Sequence, residues 1–128
     1  MKERQIPTPP SSPETVAFWE SAQQGRFILR FCKQCRKAHW YPRAICPHCF
    51  SDDTEWRDAS GRGAIYSYSI MRRAEVPYAI AYVALDEGPT MMTNIVDSDF
   101  GHLAIGKRVT LVFKQSEGGQ AVPVFRLE

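Results

Sequence analysis

Apolar positions along the 128-residue chain change period as it runs from one end to the other. Residues 1–10 are polar and proline-rich and predict a tail that lies extended on a surface or stays loose. Ser11-Ser12-Pro13-Glu14 then reads as a helix start, with capping-box spacing between Ser11 and Glu14 and Pro13 in the first turn. The helix carries Val16, Phe18, Trp19 and Ala22 and stops at Gly25. At about 12 residues such a helix is marginal alone, so its two large aromatics must bury against the body of the protein or a partner. Arg26-Phe27-Ile28-Leu29-Arg30-Phe31 follows as a strand.

From Trp56 onward the alternation has a period of two. In Gly63-Ala64-Ile65-Tyr66-Ser67-Tyr68-Ser69-Ile70 it places Ile65, Ser67 and Ser69 on one face and Tyr66, Tyr68 and Ile70 on the other. Further strands are predicted at 76–85, 91–96, 108–113 and 121–127. Turns fall at Asp86-Glu87-Gly88-Pro89 and Glu117-Gly118-Gly119, and 97–106 is an irregular or briefly helical crossover. Five short strands with a crossover between the third and fourth match the OB-fold, a small Greek-key barrel.

Between helix and barrel lie the chain's four cysteines, as Cys32-Lys33-Gln34-Cys35 and Cys46-Pro47-His48-Cys49, with ten residues between the pairs. Two thiolates three residues apart close a tight turn on one metal, and a second such knuckle completes a tetrahedron. The predicted metal ligands are therefore Cys32, Cys35, Cys46 and Cys49. Four thiolates make a closed, structural site, whereas catalytic zinc keeps an open position. Structural zinc is expected over iron, since no redox partner is visible in the sequence. The lobe is too small for its own core, and structural zinc supplies roughly 10–16 kcal/mol of apparent folding free energy in small peptides. The predicted architecture is mostly β: a tail and helix at 1–25, a rubredoxin-like four-cysteine zinc ribbon at 26–55 and a five-stranded OB-fold barrel at 56–128.

Composition adds that the chain is globular, with 44% hydrophobic and 12% aromatic residues. A formal net charge of +2 gives little attraction to a polyanion. Its distribution is uneven. Residues 26–50 hold six basic residues and no acidic one, whereas 51–128 hold eight basic and eleven acidic. Thiols reserved for metal suit a reducing interior. The first residues lack the apolar core of a signal peptide, and the longest apolar run, eight residues at 78–85, cannot span a bilayer. The expected location is the cytoplasm.

Autonomous catalysis is disfavoured. With every cysteine assigned to metal, no GxSxG elbow is present, and His39, His48 and His102 are scattered. Asp97 and Asp99 near His102 read as a solvated turn. An OB barrel beside a basic ribbon invites a single-strand nucleic-acid reading, with Tyr66, Tyr68 and Tyr82 stacking bases. The net −3 of residues 51–128 opposes it, and packing is the simpler role for the tyrosines.

Several motifs together resemble one family. Phe18-Trp19-Glu20 with Gly25-Arg26-Phe27, Cys46-Pro47-His48-Cys49 and Gly61-Arg62-Gly63-Ala64-Ile65-Tyr66-Ser67 carry the resemblance. It continues in Pro77-Tyr78, Leu85-Asp86-Glu87-Gly88-Pro89, Met92-Thr93-Asn94-Ile95-Val96, Ile105-Gly106-Lys107-Arg108-Val109 and Pro123-Val124-Phe125. The chain resembles the zinc-ribbon OB-fold family catalogued as domain of unknown function thirty-five, over about residues 14–127. The family usually has glycine after each knuckle, where Arg36 and Phe50 stand here, and glycine suits a left-handed turn. The segment 71–76 is also shorter than the corresponding loop of many members.

The resemblance implies an accessory subunit of an acyl-CoA enzyme, associated with a thiolase-like protein or a hydratase or aldolase module. Its barrel would receive or guide the acyl-pantetheine arm. Arg62, Arg72 and Arg73 are then candidate contacts for CoA phosphates, and Tyr66 and Tyr68 candidate ligand contacts. The expected partners are that enzyme and acyl-CoA, with no membrane and a second copy of the chain left open. The competing class is a single-strand nucleic-acid binder, whose affinity would fall steeply with salt.

Overall fold

The computed structural model describes residues 3–128. Its one α-helix, α1, spans Val16–Gln23. Three strands follow in the ribbon, β1 (Ile28–Cys32), β2 (Lys37–His39) and β3 (Thr54–Asp58). Five more form the barrel: β4 (Arg62–Met71), β5 (Tyr78–Leu85), β6 (Thr90–Ile95), β7 (Arg108–Gln115) and β8 (Ala121–Leu127). A 3₁₀ turn at Phe100–His102 interrupts the crossover between β6 and β7.

The helix differs from expectation at its start. Thr15 is the N-cap and makes no side-chain cap, so the Ser11–Glu14 box does not form. The Ser12 carbonyl instead accepts from the Thr15 and Val16 amides, and Glu14 Oε2 accepts from the Ala44 N–H at 2.7 Å. A tertiary contact to the ribbon has taken the carboxylate that local capping would have used. The C-terminus follows the sequence: Gly25 is left-handed (φ +77°), Gly25 N–H donates to Ala22 O and Arg26 N–H to Ser21 O, closing a Schellman motif.

Phe18, Trp19 and Ala22 are buried and Val16 is exposed. Phe18 meets Trp19, Phe27 and Trp40 edge-on, with centroids 5.0, 6.1 and 5.1 Å away. Burying one such ring is worth roughly 1.5–3 kcal/mol. The helix also touches β8, where Gln23 Oε1 accepts from Ala121 N–H and Gln120 Nε2 donates to Trp19 O at 3.0 Å. It is thus the wedge that joins ribbon to barrel, and the ribbon borrows the core it cannot build.

β1 is the central ribbon strand, antiparallel to β2 on one side and to β3 on the other. The barrel closes in the order β4-β5-β6-β8-β7, with β4 returning to β7 through Arg62↔Thr110 to Ala64↔Arg108. Only β6 and β8 pair in parallel. Gly63 stands where β4 pairs with both β5 (Leu85) and β7 (Val109). A Cβ there would lie 2.5 Å from Ala84 O and 2.8 Å from Val83 Cγ1, so closure requires glycine. Ile65, Ala81, Val83, Met91, Val109 and Phe125 fill the interior.

The strict alternation expected along β4 breaks at Tyr66. The register shifts between Ile65↔Val83 and Ser67↔Tyr82, so Tyr66 is the extra residue of a β-bulge. Ile65 therefore pairs within the buried side, while Ser67 and Ser69 pair with the outward Tyr82 and Ile80. Tyr68 and Ile70 move to the side of Ala81 and Ala79, and Tyr66 is left 67% exposed.

Candidate metal centre and the outer barrel face

The four cysteine Sγ atoms lie within 4.8 Å of one another. Cys32 and Cys49 Sγ are 3.6 Å apart, and Cys35 and Cys46 Sγ 3.7 Å. A tetrahedron of thiolates at about 2.3 Å from zinc has edges of about 3.8 Å, so the donor set fits such an ion. β1 ends on Cys32, and the turn to β2 carries Cys35. Cys46 and Cys49 lie in the second knuckle, tied back to β3 by Thr54 Oγ1 donating to Ala44 O at 3.0 Å.

Both knuckles wrap their first sulfur with amides. Cys35 N–H points to Cys32 Sγ at 3.5 Å and His48 N–H to Cys46 Sγ at 3.4 Å. As thiols the groups share protons unequally. Burial pushes Cys35 up to about 12, aided by hydrogen bonds to Cys46, Cys32 and Cys49. Burial also works against Cys46, but the Cys49 and His48 amides and the neighbouring thiols outweigh it and bring that thiol down to about 7. Such a cluster gives up protons when it takes a divalent cation. All four donors face one another, so the centre is closed and offers a substrate no obvious coordination position.

Each knuckle ends on a left-handed residue, Arg36 at φ +60° and Phe50 at φ +65°, in the conformation that glycine favours. Their amides close the turns onto Cys32 O and Cys46 O, at 2.8 and 2.9 Å. Phe50 is 79% exposed, so burial does little to offset its conformational strain.

The histidines do not converge. His39 is buried, with Nε2 3.3 Å from Arg43 O and Nδ1 without a partner among the described residues. Burial holds its pKa below the ordinary value. His48 is exposed in the second knuckle. His102 is exposed on the 3₁₀ turn, its Nδ1 3.8 Å from the Asp99 carboxylate. An open groove of about 640 Å³ beside it includes Asp97, Asp99, Lys107, Arg108 and Glu128. Its charges are largely paired: Asp97 with Lys114, Arg108 with Asp86 and Glu128 with Arg62.

The candidate ligand residues are not gathered in one place. Arg62 opens β4 and is bound to Glu128 at 2.9 Å. Arg72 and Arg73 lie in the turn just past the other end of the ten-residue strand, roughly 30 Å away along an extended strand. Both are exposed, and neither has an ion pair among the described residues. Tyr66 projects from the bulge, while Tyr68 donates its hydroxyl to Leu103 O at 3.1 Å. Register also uncovers a residue that alternation alone did not single out. Met92 is 60% exposed and pairs directly with Tyr82, 46% exposed, on the outside of the barrel.

A closed four-thiolate ribbon docked through one helix onto a closed five-stranded barrel defines a two-lobed zinc-ribbon OB-fold protein. Family models agree: "ChsH2, rubredoxin-like zinc ribbon domain" matches residues 19–55 and "ChsH2, C-terminal OB-fold domain" residues 56–114. The chain belongs to the DUF35 family. It is 35% identical over 111 residues to a "DUF35 domain-containing scaffold protein" of Methanothermobacter thermautotrophicus, covering 80% of this chain and 83% of that protein. It is likewise 35% identical over 116 residues to a "Probable enoyl-CoA hydratase alpha subunit" of Thermomonospora curvata, covering 86% of this chain. The chain spans only 36% of that relative's length.

Among solved structures, the chain superposes on one titled "Ltp2-ChsH2(DUF35) aldolase" with a TM-score of 0.81 and 31% identity. That alignment covers 94% of this chain and 98% of the other. A DUF35 protein of unknown function from Sulfolobus solfataricus shares the fold, at TM-score 0.66 and 16% identity. It covers 92% of this chain and 87% of the other. No helix among the described residues is long and apolar enough to cross a membrane.

Proposed function

We propose that this protein is a non-catalytic accessory subunit that docks on an acyl-CoA enzyme of the thiolase, hydratase or aldolase kind. The observation that carries this reading is the end-to-end likeness to the chain in the ChsH2 aldolase structure. The scaffold name of the Methanothermobacter relative and the hydratase name of the Thermomonospora one point the same way. The residues are consistent with it. The metal centre is closed, the histidines stand apart, and no nucleophile sits beside a base among the sites described above.

Zinc is the metal of this proposal, held by Cys32, Cys35, Cys46 and Cys49. It would supply a fixed tetrahedral tie between the two knuckles and no reactive position.

The barrel interior is filled with side chains, so an acyl-pantetheine arm guided by this protein would run along its outside, between barrel and partner. Of the three candidate arginines, Arg72 and Arg73 are exposed and without an ion pair among the described residues, and so are the ones free to meet CoA phosphates there, while Tyr66 is exposed further along the same strand. Arg62 and Tyr68 would have to release Glu128 and Leu103 O before taking part.

The test is capture of tagged protein from its native cells, with nuclease-treated controls and native mass spectrometry. An acyl-CoA enzyme in fixed stoichiometry is expected. Recovery of nuclease-sensitive ribonucleoprotein alone would overturn the reading.

A further inference from the structure

We infer that Arg4 joins Arg72 and Arg73 at the turn of the β4–β5 hairpin to form a phosphate site, and that this site takes the phosphorylated nucleotide end of CoA. The inference rests on the accessory-subunit reading and deepens it, adding a residue that no sequence pattern singled out.

The segment before the helix delivers Arg4. A polar stretch of this kind is loose unless tied down, and this one is tied. Lys114 Nζ holds Glu3 at 3.1 Å, Ile6 O accepts from Glu117 N–H at 2.9 Å, and Thr8 Oγ1 accepts from Gly118 N–H at 2.8 Å. These contacts carry the segment past the β7–β8 turn and lay the Arg4 guanidinium over the Tyr78 ring, 3.8 Å from its centroid. Tyr78 opens β5 on the outer side of the barrel, with Ala79 turned in, and pairs with Met71, the last residue of β4. Arg72 and Arg73 follow Met71 directly, in a turn where Ala74 N–H donates to Met71 O at 3.4 Å. Two segments distant in sequence thus bring three arginines to one hairpin end.

Their charges are uncompensated. Glu3, the neighbour of Arg4, is spent on Lys114, which also holds Asp97 at 2.9 Å. None of the three arginines has an ion pair among the described residues. Arg72 and Arg73 are exposed, as is Glu75, the one acid of the turn. Like charges so gathered repel one another and favour an anion between them. A stacked guanidinium is covered only on its face, and its N–H donors stay at the edge, where they match a pair of phosphate oxygens. Tyr78 therefore positions Arg4 without neutralising it.

The cluster is compact, and so is the charge of its proposed ligand. A phosphate monoester carries about −1.5 to −2 at neutral pH, and CoA sets its ribose phosphate close to a pyrophosphate. A nucleic-acid strand needs cations along a path. The outward positions of β5 beyond Tyr78 are Ile80, Tyr82 and Ala84, which supply none.

The experiment is isothermal titration calorimetry of the whole, metal-loaded chain with CoA, dephospho-CoA and a short single-stranded oligonucleotide. CoA should bind saturably, and dephospho-CoA, which lacks the ribose phosphate, about fivefold more weakly. Arg4→Ala should weaken CoA binding about fivefold, and Arg72→Ala with Arg73→Ala about 20-fold. Tyr78→Ala should cost as much as Arg4→Ala, and the two together no more than either, because the ring acts through the guanidinium. Arg57, stacked on Phe31 and paired with Glu55 in the ribbon, is the control, and Arg57→Ala should stay within about twofold. CoA binding that Arg4→Ala leaves unchanged overturns the site. So does a wild-type chain that binds no CoA, or that binds CoA and dephospho-CoA equally. An oligonucleotide held more tightly than CoA through the same arginines also overturns it. Each of these outcomes leaves the accessory reading to the capture experiment, so the two fail separately.

Discussion

Replacing Gly63 with alanine tests the account of barrel closure. The added Cβ would meet Ala84 O at 2.5 Å and Ala84 C at 3.1 Å, both backbone, and Val83 Cγ1 at 2.8 Å. Ordinary carbon–oxygen contact needs about 3.2 Å or more, so strands must shift by several tenths of an ångström. They are poorly placed to do so, because Gly63 is paired on both sides, to Leu85 and to Val109. Overpacking of this kind costs about 1–3 kcal/mol. The reduced freedom of alanine in the unfolded chain returns about 0.4–1 kcal/mol. Because the closest clash is with paired backbone, the upper part of that cost, about 2–3 kcal/mol, applies, and the net expectation is a loss of about 1–2.6 kcal/mol, or about 3–10 °C in Tm for a domain of this size. Gly101→Ala is the comparison, since its nearest neighbour is Asp99 Oδ2 at 3.6 Å, and it should stay within about 0.5 kcal/mol. Thermal unfolding followed by circular dichroism decides. A Gly63→Ala melt within 1 °C of wild type, at equal metal content, would refute the steric argument.

Three further outcomes follow from the ribbon. Cys32→Ser or Cys49→Ser should lose the metal and lower the melting temperature; full metal content by plasma mass spectrometry with unchanged stability in both would contradict the four-thiolate centre. Arg36→Gly and Phe50→Gly each relieve left-handed strain of about 1–2 kcal/mol, against roughly 0.5–1 kcal/mol for glycine's greater unfolded freedom. Each should hold or raise Tm by a few degrees, and a clear fall in either would contradict the strain. His39 is neutral in the fold, with its pKa held down by burial, whereas the unfolded chain takes up that proton near pH 6.5. The unfolded state thus binds more protons below that pH, so stability is full above it and falls as pH drops toward the folded pKa. Urea unfolding from pH 7 to 5.5 should show a shallower pH slope for His39→Gln than for wild type; equal slopes would contradict this assignment.

The four-cysteine cluster was legible because CxxC spacing is a local geometric constraint, and the chain has no other cysteines to confuse it. The five barrel strands were legible from alternation, and the last, Ala121–Leu127, has the expected bounds. The helix start was not, because Glu14 is claimed by the Ala44 amide, thirty residues away in sequence. Nor was the inner and outer assignment along β4. A bulge is a matter of pairing register with β5, and Tyr66 gives no local sign of it. That single shift turns Tyr68 and Ile70 to the side of Ala81 and Ala79, with the Tyr68 hydroxyl on the Leu103 carbonyl, and leaves Tyr66 67% exposed. The strained knuckle positions were anticipated from the departure at Arg36 and Phe50, and both adopt the left-handed turn glycine would favour.

The most direct test of the accessory-subunit reading is acyl-CoA turnover by the purified partner enzyme, titrated with this protein, with the protein alone as a blank. The account predicts no turnover from the protein alone and an enzyme rate that changes saturably, breaking at a fixed molar ratio. Turnover by the protein alone, or an enzyme rate indifferent to it throughout the titration, would contradict it.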